Sequence, residues 1–536
     1  MKLLPIGIQT FEKIRKKPDQ YFYVDKTREL YDLVSTGSVY FLSRPRRFGK
    51  SLLCSTLKSL FEGRKDLFEN LWIAQSDWQW KKYPVVHLSF SQTENRTTET
   101  LTQSLIFQLK RLAKEHKIML PEELKEPKDF FVYLCEELGE QNKVVLIIDE
   151  YDKPILDHIT NTKNADDMRK RLKSFYEAIK DLDTYLQFIF ITGVTKFSKT
   201  SIFSGINNLQ DISLSTVAAT VCGFTHEEIV TNFPDFLAHL AKEYNLDQQT
   251  CLQKFKHWYN GYCFNKKNQS DLVFNPFSVL LCLKNKDFQN YWFESGTPTF
   301  LINLIKQNNY PVMDFQEVKI AASQLSSFEI EKINLDVLMQ QTGYLTITGY
   351  DEESKNYSAS YPNFEVFSAL SEIITPMMTE LKPAAFNDYV VWFRQALQAG
   401  DIEHFCKTLK QFFTEIPYTI TVEDDADKPK QKLKQITLEK YYQTIFFVIC
   451  RLLTRHVWVE QATNIGRIDA VLEFEQRIVI IELKVNKSSH AALEQIKEKK
   501  YADSYMRGGK EILLVGINFD SKTRNISDDW VIERLV

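Results

Sequence analysis

The chain has 536 residues, 44% of them hydrophobic and 26% charged, with a formal net charge of −3. It is too long for one core, ordinary in composition for a folded protein, and far from a polycation. Any nucleic-acid surface must therefore be local. Basic residues outnumber acidic ones over the first sixty positions and, mildly, after position 430.

Met1-Lys2-Leu3-Leu4-Pro5-Ile6-Gly7 has no apolar stretch long enough for a signal peptide, and no run approaches the ~18 apolar residues of a membrane span. Val39 to Ser43 is predicted as a short buried strand. A helical pattern follows Ser51, with Leu52, Leu53, Leu57 and Leu60 at helical spacing. Val85 to Phe90 is a second strand, and residues 98–117 are an amphipathic helix. Val144 to Ile148 is a continuous apolar run, the mark of a strand covered on both faces of a parallel sheet. Leu186 to Ile191 is the next such run, and Val217 to Cys222 a further candidate. Strands alternating with helices predict a doubly wound α/β domain over residues 1–222.

From Gly223 helical patterns dominate. Thr225-His226-Glu227-Glu228 has the form of a capping box. Residues 223–430 are predicted as a mostly helical lid and linker region, with a small hairpin within 343–361. Polar residues 423–430, which include Pro429, are the best linker. Residues 431–536 then read helix (437–455), three strands (457–460, 466–474, 477–485), helix (489–506) and strand (511–516). The eight cysteines form no C-x-x-C pair and sit in apolar segments, as expected for reduced, buried thiols in a cytoplasmic protein.

Two segments carry chemistry. The first is Arg44-Pro45-Arg46-Arg47-Phe48-Gly49-Lys50-Ser51, at a strand-to-helix turn. A phosphate loop needs inward amides, a lysine for the β/γ-phosphates and a hydroxyl for Mg²⁺, and Gly49, Lys50 and Ser51 supply them. Arg44 stands where a glycine is usual; Arg46 and Arg47 are candidate phosphate contacts. Asp149 and Glu150, ending an apolar strand, are the expected partners: Asp149 in the Mg²⁺ shell, Glu150 polarising the attacking water. Thr192, at the end of another strand, is a candidate γ-phosphate sensor. The strand near Val85 fits the additional-strand class of phosphate-loop ATPases.

The second segment is Gly466-Arg467-Ile468-Asp469 with Ile481-Glu482-Leu483-Lys484. A metal-dependent nuclease needs oxygen ligands for Mg²⁺ and a cation beside the scissile phosphate. Two antiparallel strands would bring Asp469 and Glu482 together, and Lys484 shares a face with Glu482. Glu439 is a candidate further metal ligand. Gln495 and Tyr501 are candidate nucleic-acid contacts on the next helix. Phe22 and Tyr23 are candidates to stack on adenine, Asn275-Pro276-Phe277 reads chiefly as a helix start, and Trp258 to Tyr262 chiefly as packing.

Residues 5–222 resemble the AAA-ATPase-like family of bacterial proteins in Leu4-Pro5-Ile6-Gly7-Ile8, in Tyr23-Val24-Asp25-Lys26-Thr27 and in Phe41 through Ser51. Residues 430–536 resemble the PD-(D/E)XK nuclease domain that follows it in that family, with Ile468-Asp469 in place of Pro-Asp. The resemblance implies Mg-ATP at Lys50, Ser51, Asp149 and Glu150, and a metal at Asp469 and Glu482 beside Lys484. It also implies a nucleic-acid partner, DNA in the first place. A homo-oligomer is left open. The rival reading is an ATP-switched scaffold or nucleic-acid-binding protein whose nuclease fold is catalytically silent. A helicase-like motor ranks below both, because no second motor core is legible.

Overall fold

The computed structural model describes residues 2–197, 202–203, 206, 208–266, 270–296, 301, 304, 318–325, 333–416, 445–446, 448–450, 452–453, 456–463, 466–474, 476–503, 505–506 and 509–535. The chain forms two compact units, Met1–Tyr310 with Asp314–Phe367, and Pro311–Met313 with Ser368–Val536. Residues 223–310 and 314–367 thus group with the N-terminal sheet, a different cut from the one expected at 222 and 430.

The first unit is built on five strands: β1 (Val39–Ser43), β2 (Val85–Ser89), β3 (Val144–Asp149), β4 (Leu186–Gly193) and β5 (Gln210–Asp211). They lie in the order β2-β3-β4-β1-β5, all parallel. Every residue of β1 and β3 is buried, which is why these strands read as unbroken apolar runs rather than alternating ones. The register pairs Ser43 with Gly193 and Ser89 with Asp149. The carboxyl ends of β1, β3 and β4 therefore share one edge, where the loop after β1, the acids after β3 and Thr192 all emerge.

Two expectations need correcting. The strand lying between β1 and β3 in space is β4; the Val85 strand, between them only in sequence, is at the sheet edge. Val217–Cys222 is not a strand. Thr216–Ala218 is a 3₁₀ turn, and the edge strand is the two-residue β5. The Ala218 carbonyl accepts from the Arg44 guanidinium, so this stretch serves as acceptor for a buried cation instead of joining the ladder.

The predicted capping box forms: the Thr225 hydroxyl accepts from the Glu228 amide, and the Glu228 carboxylate from the Thr225 amide. Two small antiparallel sheets interrupt the helices. One joins β6 (Phe224–Thr225), β7 (Tyr262–Cys263) and β8 (Leu272–Phe274); the other joins β9 (Val318–Ala321), β10 (Thr346–Asp351) and β11 (Asn356–Ser360), the last two being the expected hairpin. Gly261, at φ 109°, is required where it stands: a Cβ there would lie 2.0 Å from the Pro362 carbonyl oxygen. Tyr259 and Tyr262 are fully buried, and Trp258 packs on Phe288 and Phe364, so this segment is core.

In the second unit, β12 (His456–Thr463), β13 (Gly466–Glu473), β14 (Arg477–Val485), β15 (Glu511–Asp520) and β16 (Asn525–Ile526) lie side by side, and β17 (Val531–Arg534) also pairs with β15. Only β14 and β15 are parallel to each other. The helix Ser489–Glu498, capped by Ser488, ends earlier than the predicted 506. It packs Leu493 and Ile496 against Val471, Ile480 and Leu514. The linker 423–430 lies outside the described residues.

Candidate functional site

The loop after β1 is shaped as the sequence predicts. Gly49 takes φ 89° as the N-cap of the helix Lys50–Phe61, and no side chain caps that end. A Cβ at Gly49 would meet nothing within 4 Å, so backbone conformation alone calls for glycine there. Uncapped amides at a helix start carry partial positive charge. Lys50 is buried, and its Nζ donates to the carbonyls of Arg44 (2.9 Å) and Pro45 (3.0 Å). Arg44 is 1% exposed. Its guanidinium donates to Ser43, Ser213 and Ala218 carbonyls and lies 4.0 Å from the Phe264 ring centroid. Burial lowers its pKa to about 10, which leaves it charged at neutral pH. Arg44 thus braces the loop from behind, and glycine could not do so. Arg46 and Arg47 line the front, Arg47 over the Phe277 ring.

Behind Lys50, the Thr192 hydroxyl donates to Asp149 Oδ1 at 2.6 Å, both groups being buried. The Glu150 amide donates to the same hydroxyl at 3.4 Å. Glu150 adopts φ 57°, the left-handed region uncommon for a non-glycine residue. Burial holds its carboxyl above the usual carboxylate range, against the opposing pull of Lys50. A cavity of about 480 Å³ opens here. Its lining combines polar groups, Arg46, Lys50, Ser51, Glu150 and Asp152, with apolar ones including Ile8, Phe22, Val24, Phe277 and Leu280. Phe22 also packs on Phe233 and Phe236. Asn275 caps the helix Pro276–Asn285 as expected, and Pro276 and Phe277 face the same cavity.

In the second unit, Glu482 on β14 is 1% exposed. Its Oε1 accepts from Lys484 Nζ at 2.7 Å and from the Gln495 amide on the neighbouring helix. Ala470 on β13 pairs with Ile481 on β14, so the backbone positions of Asp469 and Glu482 each lie one step beyond that pair. The Asp469 side chain and all of Glu439 lie outside the described residues. Among the described residues no three His, Cys, Asp or Glu gather as a metal cluster. Tyr501 is a core residue, 2% exposed among Val471, Ile480 and Leu493, with no ring face open to a base.

Comparison with known proteins matches these two centres. Residues 5–203 match the family described as "Predicted AAA-ATPase", and residues 437–529 match the PD-(D/E)XK nuclease superfamily. A protein of Azotobacter chroococcum mcd 1, described as an uncharacterized protein in the vnfD 5′ region, is 35% identical over 543 residues, covering 100% of this chain and 99% of that one. The chain belongs to the AAA-ATPase-like family and carries a C-terminal PD-(D/E)XK domain.

In this family member the motif around Asp149 extends further than the sequence reading took it. Asp152 is 1% exposed, and its Oδ2 accepts from the Val194 amide (2.9 Å), the Thr195 amide (2.6 Å) and the Thr195 hydroxyl (2.7 Å). The Tyr151 hydroxyl donates to the Thr195 carbonyl and accepts from the Phe197 amide. Residues 151–152 therefore clasp the chain leaving β4, and with it the strand that carries Thr192. Gly193 is what admits the clasp, since a Cβ there would sit 2.5 Å from the Tyr151 ring and 2.8 Å from Asp152 Oδ1. The signal was present in sequence as a third acid three positions after Asp149. Among the described residues, no helix is long and apolar enough to cross a membrane.

Proposed function

We propose that this protein binds and hydrolyses Mg-ATP in its first unit, and that its second unit is a metal-dependent nuclease acting on DNA or RNA. The observation that carries the nucleotide half is the cavity at the carboxyl edge of the parallel sheet, where Lys50, Ser51 and Glu150 line one wall beside an uncapped helix start. The donor set suits a triphosphate and a hard cation: inward amides and a lysine for phosphate, a hydroxyl and a carboxylate for Mg²⁺. Magnesium held by Ser51 and Asp149 would neutralise phosphate charge. Lys50 exchanges two neutral carbonyl partners for phosphate oxygens. Glu150 accepts a proton from, or orients, the water that attacks. Thr192 holds Asp149 in place through its hydroxyl, a positioning role rather than direct sensing.

For the nuclease half, Glu482 and Lys484 share one face of β14, and Gln495 reaches Glu482 from the adjacent helix. With Asp469 these groups would supply the oxygen ligands and the phosphate-facing cation that metal-assisted hydrolysis requires. The silent-scaffold reading draws on one observation: Glu482 Oε1 is already engaged by its two neighbours. Purified protein incubated with labelled DNA and RNA, in Mg²⁺ or Mn²⁺ and with or without ATP, separates the two. Cleavage lost in Glu482→Ala supports the nuclease; nucleotide binding with no cleavage of any substrate supports the scaffold.

A further inference from the structure

A loop that turns its amides inward turns its carbonyls outward, and in a buried loop those carbonyls need donors. Lys50 serves Arg44 and Pro45. The Arg46 carbonyl is served from 246 residues away, by the indole N–H of Trp292 at 3.0 Å. Trp292 is fully buried, in the helix Tyr291–Gly296. Its own backbone amide donates to Glu365 Oε1 at 2.8 Å, and the Ser278 hydroxyl donates to the same oxygen at 2.9 Å. Ser278 belongs to the helix Pro276–Asn285, whose first residues line the cavity. Glu365 is 0% exposed in the first turn of the helix Phe364–Thr379, and its Oε2 has no hydrogen-bond partner among the described residues.

A buried carboxyl with one oxygen unsatisfied is costly, and apolar packing alone would fill this space more cheaply. On the reading that the loop holds a nucleotide, we propose that Trp292 and Glu365 are a positioning pair, which fixes the carbonyl face of the phosphate loop and ties it to the first turn of the helix Phe364–Thr379. The pair gives the loop a point of regulation outside the cavity. The groups facing Glu365 are Tyr259, Tyr262 and Cys282, from three different elements, and burial pushes each of them up, so they stay neutral through the physiological range. With no opposing charge from them, burial raises the Glu365 carboxyl to about 8. Glu365 is then neutral at pH 7. Ionising it strengthens its bonds from the Trp292 amide and the Ser278 hydroxyl, but burial of the charge costs more than they return, which favours opening of the packing that aims the indole at Arg46.

The test uses the full chain, a fluorescent ATP analogue with Mg²⁺, and hydrogen exchange of the amides of residues 44 and 46–49 corrected for intrinsic rate. Trp292→Phe removes the indole donor and keeps the ring; nucleotide affinity should fall roughly five- to tenfold, and the loop amides should exchange faster. Wild-type affinity should fall between pH 7 and 9. Glu365→Gln should match wild type at pH 7 and hold that affinity to pH 9. Affinity and exchange unchanged in Trp292→Phe, or a pH response that persists in Glu365→Gln, overturns the pairing. If wild type binds no nucleotide, the nucleotide reading falls, and the exchange data alone decide the pairing: faster loop exchange in Trp292→Phe supports it and unchanged exchange overturns it.

Discussion

The two centres each hold a lysine, and they hold it differently. Lys50 rests on two neutral backbone carbonyls, whereas Lys484 rests on a buried carboxylate. A lysine's bond to a carbonyl is charge-assisted too, so both gain about 1.5–3 kcal/mol per bond, and what Lys484 has in addition is an acceptor of opposite charge. The phosphate-loop lysine is therefore the easier to transfer to an incoming anion. Lys484 keeps the buried Glu482 carboxylate from being an uncompensated charge. The first centre is organised largely by backbone, the second by side chains that depend on one another.

That contrast sets the size of each substitution's effect. The largest belongs to the second unit. Glu482→Ala leaves Lys484 and Gln495 without their shared acceptor, and cleavage should be abolished, as in Asp469→Ala and Lys484→Ala, with non-additive losses when the variants are combined. Nucleotide affinity should stay at its wild-type value in all three. Gel-based cleavage rates and calorimetry read both quantities, and equal cutting by all variants would remove this centre from consideration. Next comes Glu150→Gln, which keeps shape and loses charge; ATP should still bind, while turnover falls by ~10²–10⁴-fold. Wild-type turnover in that variant would place the base elsewhere.

Lys50→Ala should abolish measurable ATP binding by calorimetry while the protein stays folded. Its two lost carbonyl bonds have a cationic donor and cost about 1.5–3 kcal/mol each. A smaller effect is expected at the clasp. Asp152→Ala strands the Val194 and Thr195 amides, and unfolding stability should fall by about 1–3 kcal/mol. Denaturant titration measures it, and a loss near zero would mean that the clasp does not hold the end of β4.

Much of this is legible in the sequence alone. Val39–Ser43 and Val144–Ile148 read as buried parallel strands because burial on both faces leaves a continuous apolar run. The strand-to-helix turn at Gly49-Lys50-Ser51 is legible because glycine there encodes a positive φ at a helix start. Arg44 could not be read: only the fold shows the Ser213 and Ala218 carbonyls converging on it from 169 and 174 residues downstream. Nor could β5, whose two exposed residues carry no pattern. Tyr501 shows the converse, an aromatic assigned to bases by its neighbours in sequence and claimed by the core in space.

The smallest effect distinguishes Glu150 as a base from Glu150 as a structural acid. Burial raises its carboxyl above the usual range, with Asp149 and Asp152 pushing the same way and Lys50 and Arg46 opposing. A base works only when deprotonated, so turnover should fall as pH drops through that raised value, at a higher pH than an ordinary carboxylate would give. Stability runs the other way. A raised carboxyl favours the folded state most fully below the ordinary carboxylate pKa, and that contribution is lost as pH rises through the folded value. Turnover and the Glu150 share of stability therefore move in opposite directions across the same window. Steady-state turnover and thermal midpoints, measured at matched ionic strength from pH 5 to 8, expose both. In Glu150→Gln the stability component should vanish, along with the acid limb of whatever turnover remains. An acid limb that survives in this variant belongs to another group, with Asp152, three bonds deep in the clasp, the next carboxylate along the cavity wall.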